Sequence, residues 1–438
     1  MPEQSNIRIL CAADIHLGRA PYLDPTPWMP LTARTSWDFV TRSAIEQDVD
    51  LVILAGDVIE SDNMFFETRA PLRKGIRDLL DHGIWVAAVA GNHDWRVFPE
   101  LLRDIRSEGT GAGQAEFRLL GSNENGNPHG TWTVGTIPLR KGPLTLVGWS
   151  FPNKSHPADP LTSFPVTLDR QGRTLGILHT DFDRNSVYAP VRPADLEGKP
   201  VDAWILGHIH KPTAGDGKMY FYCGSPLPLR STEMGAHGCW ILEYEGNTLS
   251  APILVPSPVR IDRLEVSLDG TDEDVVSIHS RISQAVQTYV QELLRQNPGL
   301  RTLFIDLRTT GTSELPVHIS PQEFELEYGG VEIRLLGPVD DQCLPRIPLA
   351  DWAAESSSRG RLARMLASVR DGSPDPEAVR LMTVIRQQEA NSRFLPSFNR
   401  LEKSVWESSV GSEDWARELL TSSLTAILAK IRAQEAQL

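Results

Sequence analysis

Five short stretches of this chain end in side chains that can hold a metal ion or move a proton. Asp14-Ile15-His16 closes the apolar run at residues 7–11, and Gly56-Asp57 closes the run at 51–55. Gly91-Asn92-His93-Asp94 comes after an apolar run at 84–89, His179 after 175–178, and Gly207-His208-Ile209-His210 after 203–206. Carboxylate, imidazole and amide oxygen together suit a borderline or hard divalent ion such as Mn, Fe, Zn or Mg. Asp14, His16, Asp57, Asn92, His179, His208 and His210, with one carboxylate shared, are about what two ions need, and they leave positions for water and substrate. Two ions about 3.5–4 Å apart clamp the attacking and leaving oxygens of an in-line phosphoryl displacement. The histidine of the third stretch that is not in this set, His93, could then carry a proton.

Taken singly, each piece has a plainer explanation. A lone His after a strand is more often a hydrogen-bonded surface residue, and Asp at a strand end usually caps a helix or forms a turn. Their repetition in one chain is what points to a site. Each preceding run is short, apolar and β-prone, so the chemical residue falls at the C-terminal end of a strand, where α/β enzymes assemble their sites. Helical patterns at 37–47, 69–82 and 98–106 alternate with these strands. Runs at 144–149 and 175–178 read as strands of a second sheet, and 219–223 and 239–244 complete the strand set. The expected fold class is α/β, a two-sheet sandwich flanked by helices. Three other histidines read otherwise: His82 as the cap of a helix C-terminus, His129 as solvated in the Gly- and Asn-rich insertion at 109–130, and His156 without a role.

In this order DxH, GD, GNHD, a lone His and GHIH resemble the calcineurin-like metallophosphoesterase superfamily over residues 7–245. The continuation Gly224-Ser225-Pro226, with Glu233 and Gly238 after it, is similar to the segment that follows the last metal motif in SbcD-type DNA exonucleases and their YhaO-type relatives. The resemblance implies the metallophosphoesterase fold with a small α+β cap. It implies that Asp14, His16, Asp57 and His210 hold one ion and that Asp57, Asn92, His179 and His208 hold the other, Asp57 bridging. Mn2+ is the expected metal, with Mg2+, Fe and Zn2+ as alternatives. His93 matches the family histidine that is not a ligand and protonates the leaving oxygen, and Asp94 would orient His93 or its loop, or simply cap the turn. DNA would be the substrate and a coiled-coil ATPase of the SbcC type the partner; a homodimer is a possible assembly. Many family nucleases carry Asp or His three residues after the bridging Asp, where this chain has Glu60. The Arg-containing GD motif and the GNHE of the superfamily's protein phosphatases are absent here.

At 438 residues the chain is long for one core. It is 40% hydrophobic and 23% charged, which reads as ordinary soluble globular protein. Cys11, Cys223, Cys239 and Cys343 form no CxxC pair and read as reduced, mostly buried thiols. No basic region followed by an apolar stretch opens the chain, and no apolar run approaches the roughly 20 residues that span a bilayer. The expectation is a cytoplasmic protein without a membrane partner, which disfavours secreted nucleotidases. The net charge of −14 is awkward for a DNA enzyme: residues 1–250 and 251–350 each carry −7 and residues 351–438 carry none. A surface that tracks phosphates must therefore be local, or be supplied by a partner.

Residues 1–255 are expected to be the catalytic domain, its first site loop at 12–36 carrying Arg19, Tyr22, Trp28 and Arg34 among several prolines. Prolines at 252–258 read as a boundary. Beyond them strands at 260–268, 303–307 and 331–335 and an amphipathic helix at 272–296 suggest a capping domain over 256–340. Residues 341–438 read as linker and helical tail, with weak periodicity at 336–375 and helices at 376–390 and 414–434. In the last helix Trp415, Leu419, Leu420, Leu424, Ile427, Leu428 and Ile431 recur at three- and four-residue steps. That stripe either packs on the protein's own domain or docks in a groove of the ATPase. Three functions compete: a DNA exo/endonuclease subunit, a stand-alone phosphodiesterase or nucleotidase of small nucleotides, and a scaffold that kept the site. The segment around Gly224-Ser225-Pro226, the cap and the tail favour the first, and the complete ligand set disfavours the third.

Overall fold

The apolar runs that precede the candidate ligands all form strands. The computed structural model describes residues 6–19, 33–60, 66–107, 114–122, 130–165, 172–214, 217, 219–269, 274–324, 326–392 and 413–435. The chain opens with β1 (Ile7–Ala12), α1 (Ala33–Glu46), β2 (Leu51–Ala55), α2 (Phe66–Asp81), β3 (Trp85–Val89), α3 (Val97–Ser107) and β4 (Phe117–Leu119). It continues with β5 (Trp132–Leu139), β6 (Gly142–Trp149), β7 (Thr174–His179), α4 (Pro193–Glu197), β8 (Ala203–Gly207), β9 (Thr213–Ala214) and β10 (Tyr220–Tyr222). β11 (Gly238–Glu245), β12 (Thr248–Leu249), β13 (Ile253–Pro256), β14 (Val259–Asp269), α5 (Val275–Gln296), β15 (Thr302–Thr312), β16 (Leu326–Tyr328), β17 (Val331–Leu335) and β18 (Asp340–Asp341) follow. The described residues end with α6 (Leu349–Ala353), α7 (Ser358–Arg370), α8 (Pro376–Ser392) and α9 (Glu413–Glu435).

The first sheet has the order β12-β11-β1-β2-β3-β4 with β13 on β11, and the second β5-β6-β7-β8-β10-β9. β1, β2, β3 and β4 run parallel, as do β6, β7, β8 and β10. The registers Ala12↔Leu54, Ala55↔Val89 and His179↔Gly207 end these strands level with one another. The loops that follow them therefore leave from one edge. β2 and β3 are buried along their whole length, as parallel strands covered on both faces must be.

The second sheet divides its side chains with period two. Leu144, Leu146, Leu175, Ile177, Ala203, Ile205 and Phe221 join the residues of the first sheet in one core. Their neighbours Val147, Trp149, Leu178, Trp204, Leu206 and Tyr222 enter a separate cluster with Phe164, Val191 and Leu196. The α/β two-sheet sandwich flanked by helices is thus present, and among the described residues no helix is long and apolar enough to cross a membrane. The proline-bearing stretch at 252–258, expected as a boundary, contributes a strand to the first sheet. Ile253–Pro256 pairs antiparallel with β11, and Pro is tolerated there because the strand lies at an edge.

Contacts divide the chain into two units, residues 1–263, 289–306 and 324–336, and residues 264–288, 307–323 and 337–438. In the first, β15 pairs in parallel with β17 over Thr302↔Glu332 to Ile305↔Leu335, and Val259, Ile261 and Phe304 form a small cluster with Leu227. In the second, Arg308 and Thr309 pair with β18. Its helices share a core of Trp352, Met365, Leu366, Val369, Met382, Leu420, Leu424 and Leu428. The stripe on α9 is therefore largely an internal packing face, the first of the two readings, and Leu424 belongs to it. Leu419 and Ile427 stay exposed, at 41% and 47%. Leu424→Ala should lower the stability of this unit by about 2–4 kcal/mol, as expected for a buried Leu. Ile427→Ala should shift it by no more than about 0.5 kcal/mol. Denaturant titration followed by helical circular dichroism reads the difference, and equal effects at the two positions would contradict the packing.

Candidate active site

Unusual backbone geometry collects at the shared strand edge. Asp14, His16, Asp57 and His208 take φ values of 53°, 51°, 52° and 97°, four of the six non-Gly residues with positive φ among the described residues. Asp and His tolerate this region better than bulkier residues, and strain persists where surrounding bonds over-determine it. Those bonds are visible. Asp14 N donates to Gly56 O at 3.1 Å, His16 N to Asp57 O at 3.0 Å, Leu17 N to Val58 O at 2.8 Å and Glu60 N to Leu17 O at 2.9 Å, so the loops after β1 and β2 are zipped together. Asp94 ties in the loop after β3, accepting from Gly91 N at 2.7 Å and Val58 N at 2.6 Å. A Cβ on Gly91 would lie 2.2 Å from Asp57 Oδ1, and one on Gly207 2.1 Å from Ala55 O. The glycines of GNHD and GHIH are needed for this close approach.

The predicted side chains come together in three overlapping groups: Asp14, His16 and His210; His16, Asp57 and His93; Asp57, His179 and His208. In each group the donor atoms lie within 4.8 Å of one another. His16 Nε2 is 3.2 Å from His210 Nε2, and His179 Nε2 is 3.2 Å from both Asn92 Oδ1 and Asp57 Oδ2. His208 N donates to both Asp14 oxygens, at 3.0 and 3.1 Å. All seven expected ligands are thus at one place. Carboxylates, imidazoles and one amide make a donor set that fits divalent ions of the hard-to-borderline kind.

Partners on the far side of the rings decide which nitrogen is free. His179 Nδ1 donates to Ala55 O at 2.9 Å, leaving Nε2 toward Asp57. Glu60 Oε2 accepts from His16 Nδ1 at 3.2 Å, and Glu233 Oε1 from His210 Nδ1 at 2.7 Å. Asp181 Oδ2 lies 3.6 Å from His208 Nε2. Glu233 is itself held by Leu229 N at 2.6 Å. Such outer carboxylates orient a ligand imidazole and raise its basicity. Glu60 does a second thing: its Oε1 is 2.5 Å from His93 Nδ1. The carboxylate on His93 is thus Glu60, and Asp94 braces the loop.

Burial and charge work against each other here. Burial opposes the charge of Asp57, but His179, His16 and His93 outweigh it and hold the carboxyl below the usual range. Burial and the nearby Asp57 charge push Asp94 up to about 7. Burial also disfavours charge on His179, yet Asp57 raises it to about 9. His208, buried and beside His179, drops to about 4 and is a neutral ring at neutral pH. His93 titrates above the ordinary imidazole value because Glu60 and Asp57 overcome its burial.

Other readings from the sequence also find their places. His82 Nδ1 donates to Asp78 O at 2.7 Å, a cap at the end of α2. His156 packs 4.9 Å from the Trp149 ring, outside the three groups. His129, and Tyr22 and Trp28 of the first site loop, lie outside the described residues. Glu233 and Asp181 have roles that residue type alone did not signal; the nearest hint was the position of Glu233 within the segment around Gly224-Ser225-Pro226.

Residues 7–212 match the family model of the calcineurin-like phosphoesterases. The chain is 23% identical over 334 residues to the DNA double-strand break repair protein Mre11 of Haloferax volcanii, covering 75% of this chain and 67% of that one. It is 25% identical over 255 residues to the SbcD subunit of the nuclease SbcCD of Escherichia coli K12, covering 52% and 62%. To the uncharacterized metallophosphoesterase YhaO of Bacillus subtilis it is 22% identical over 257 residues, covering 56% and 59%. The chain thus spans about three-fifths of the length of the last two relatives.

Because Asp57 keeps His179 protonated up to about pH 9, an ion that takes its Nε2 must displace a proton. Apparent affinity for Mn2+ should rise with pH, by up to about tenfold per unit below that value. Calorimetry in buffers of different ionisation enthalpy should count the proton released. Uptake independent of pH between 6 and about 8.5 would show that the ring is not a ligand.

Proposed function

We propose that this chain, which over residues 7–212 is a calcineurin-like phosphoesterase, is a two-metal DNA nuclease that hydrolyses phosphodiester bonds. In this reading it is one subunit of an SbcCD-like repair complex with a coiled-coil ATPase. The observation that carries the chemistry is the pair of ligand groups, Asp14-His16-His210 and Asp57-His179-His208, beside a histidine that neither group contains. The relatives that carry DNA-repair and nuclease names support DNA as the substrate. Asp14, His16, Asp57 and His210 would hold one ion and Asp57, Asn92, His179 and His208 the other, with Mn2+ the metal proposed. When bound, two such ions supply Lewis acidity to the phosphoryl group and make water a better nucleophile near neutral pH.

The protein's own part is positioning and proton transfer. Water gives up a proton to solvent as its oxygen bonds to phosphorus, the bond from phosphorus to the leaving oxygen breaks, and His93 gives that leaving oxygen its proton. His93 is suited to this because its side chain is 25% exposed, against 0% for His179, so substrate can reach it. Glu60 fixes its Nδ1, which leaves Nε2 to face the reaction, 3.9 Å from Asp57 Oδ2. A pKa held above the ordinary imidazole value by Glu60 and Asp57 favours the protonated form that this role needs. The acidic chain brings little general attraction for DNA, so the affinity for a long substrate must come from local cations or from the partner.

His93→Ala should keep two Mn2+ per chain by elemental analysis while the rate on bis(p-nitrophenyl) phosphate and on DNA falls by about 10²–10⁴. Loss of metal from that variant would make His93 a ligand instead. The activity of the wild type should fall as pH rises through the raised pKa of His93, since its proton is then gone. Glu60→Gln removes the charge that holds the proton, so this alkaline fall should move to lower pH. An unmoved profile would take His93 out of the acid role.

A further inference from the structure

The turn after His16 brings a cation to the same edge. Arg19 N donates to His16 O at 2.9 Å, and Gly18 between them has φ +93°, the positive value that the third residue of a type II turn requires. Leu17 pairs with Ile59, which sets this turn against the loop that carries Glu60. Arg19 therefore points its guanidinium at Glu60, but the approach is loose: Nε is 4.0 Å from Oε2. Both oxygens of Glu60 are already engaged, Oε2 by His16 and Oε1 by His93. The Arg19 side chain is only 20% exposed, and its Nη1 is buried with no hydrogen-bond partner among the described residues. A charged donor withdrawn from water without an acceptor is costly. Glu60 does not repay that cost at this distance, so the ion pair does not account for where Arg19 sits.

The missing acceptor has a definite character. An anionic oxygen answers such a donor best, and the turn keeps Arg19 next to His16 and near enough to His210 for its charge to act on that ring. We propose that Arg19 is a further catalytic residue whose guanidinium donates to a non-bridging oxygen of the scissile phosphoryl group. This rests on the phosphodiesterase reading and adds to it the group that meets the charge growing on those oxygens. As the nucleophile arrives, charge shifts onto the non-bridging oxygens, so a fixed donor gains strength in the transition state. Arg suits the task better than Lys because its planar fork can keep Nε toward Glu60 while an Nη donates to phosphate.

The test uses the full chain loaded with Mn2+. Arg19→Ala should reduce kcat on bis(p-nitrophenyl) phosphate by about 10²-fold or more, with two ions still bound and an unchanged melting temperature. Added guanidinium ion should restore part of the lost rate, and Arg19→Lys should recover less than a tenth of it. Inorganic phosphate, titrated by calorimetry, should bind at least tenfold more weakly to Arg19→Ala than to wild type. Turnover within twofold of wild type would overturn the proposal. So would a loss that guanidinium leaves untouched but that Glu60→Gln repairs in the double variant, since Arg19 would then merely balance the charge of Glu60. Wild-type chain that holds two ions and binds phosphate yet cuts no diester would sink the nuclease reading, while the phosphate titration would still decide on Arg19. Wild type that does neither overturns both.

Discussion

A carboxylate removed from water has to be surrounded by compensating charge or donors, and Asp57 meets that demand with partners from both sheets. It is 2% exposed. His93 N donates to its Oδ1 at 2.9 Å, and His179 Nε2 lies 3.2 Å from its Oδ2. These partners come from separate strands: Asp57 follows β2, His93 follows β3 and His179 ends β7 in the other sheet. Meeting the electrostatic need of one side chain therefore requires both sheets of the sandwich to be in register at the same edge. The large apolar core between them, from Leu10 and Ile53 to Ile177 and Ile205, is what holds that register. Stability and site are in this sense one problem, because a slip between the sheets would strand a buried charge.

Imidazoles gathered this closely pose a second problem, since each can donate or accept through either nitrogen. For His179, His16 and His210 the ambiguity is removed from outside. Ala55 O takes Nδ1 of His179, Glu60 that of His16 and Glu233 that of His210, while Asp181 stands near Nε2 of His208. The nitrogens left over face inward. Three of these partners are acidic, which explains part of the negative charge of residues 1–250 without reference to any substrate surface. Two divalent ions would carry four positive charges into the same volume, and the surplus of carboxylates over arginine there is what such ions require.

Parallel topology is why the clustering of these residues could be read from the sequence. In a parallel sheet every strand ends at the same edge, so an apolar run followed by Asp, His or Asn reports a position in space as well as in the chain. Asp14, Asp57, Asn92, His179 and His208 all obey this, and all are found together. Antiparallel strands carry no such signal. β11 and β5 run the other way at the flanks of their sheets, and no expected ligand directly follows either. β5 was also invisible as a strand: Val134 is 46% exposed, and its pattern of half-buried residues is that of an edge.

What the sequence concealed shares one physical cause, dependence on partners far along the chain. Glu233 is 23 residues from His210, and Asp181 meets His208 only because β7 and β8 are neighbours; as residue types they are indistinguishable from the acids on any solvated face. Glu60 could be flagged for its spacing from Asp57, but its two contacts, to His16 and His93, need the ladder between the loops before they can form. The same holds for packing. α7 lies in the stretch of weak periodicity because its buried face is Gly360, Ala363, Met365, Leu366 and Val369, small or flexible residues with little hydrophobic contrast to their neighbours. Gly360 is there because a Cβ would lie 2.2 Å from Glu355 O. A helix that must pass that close to another segment gives up the bulky apolar side chains by which helices are recognised, so tight packing and a faint sequence pattern arise from the same constraint.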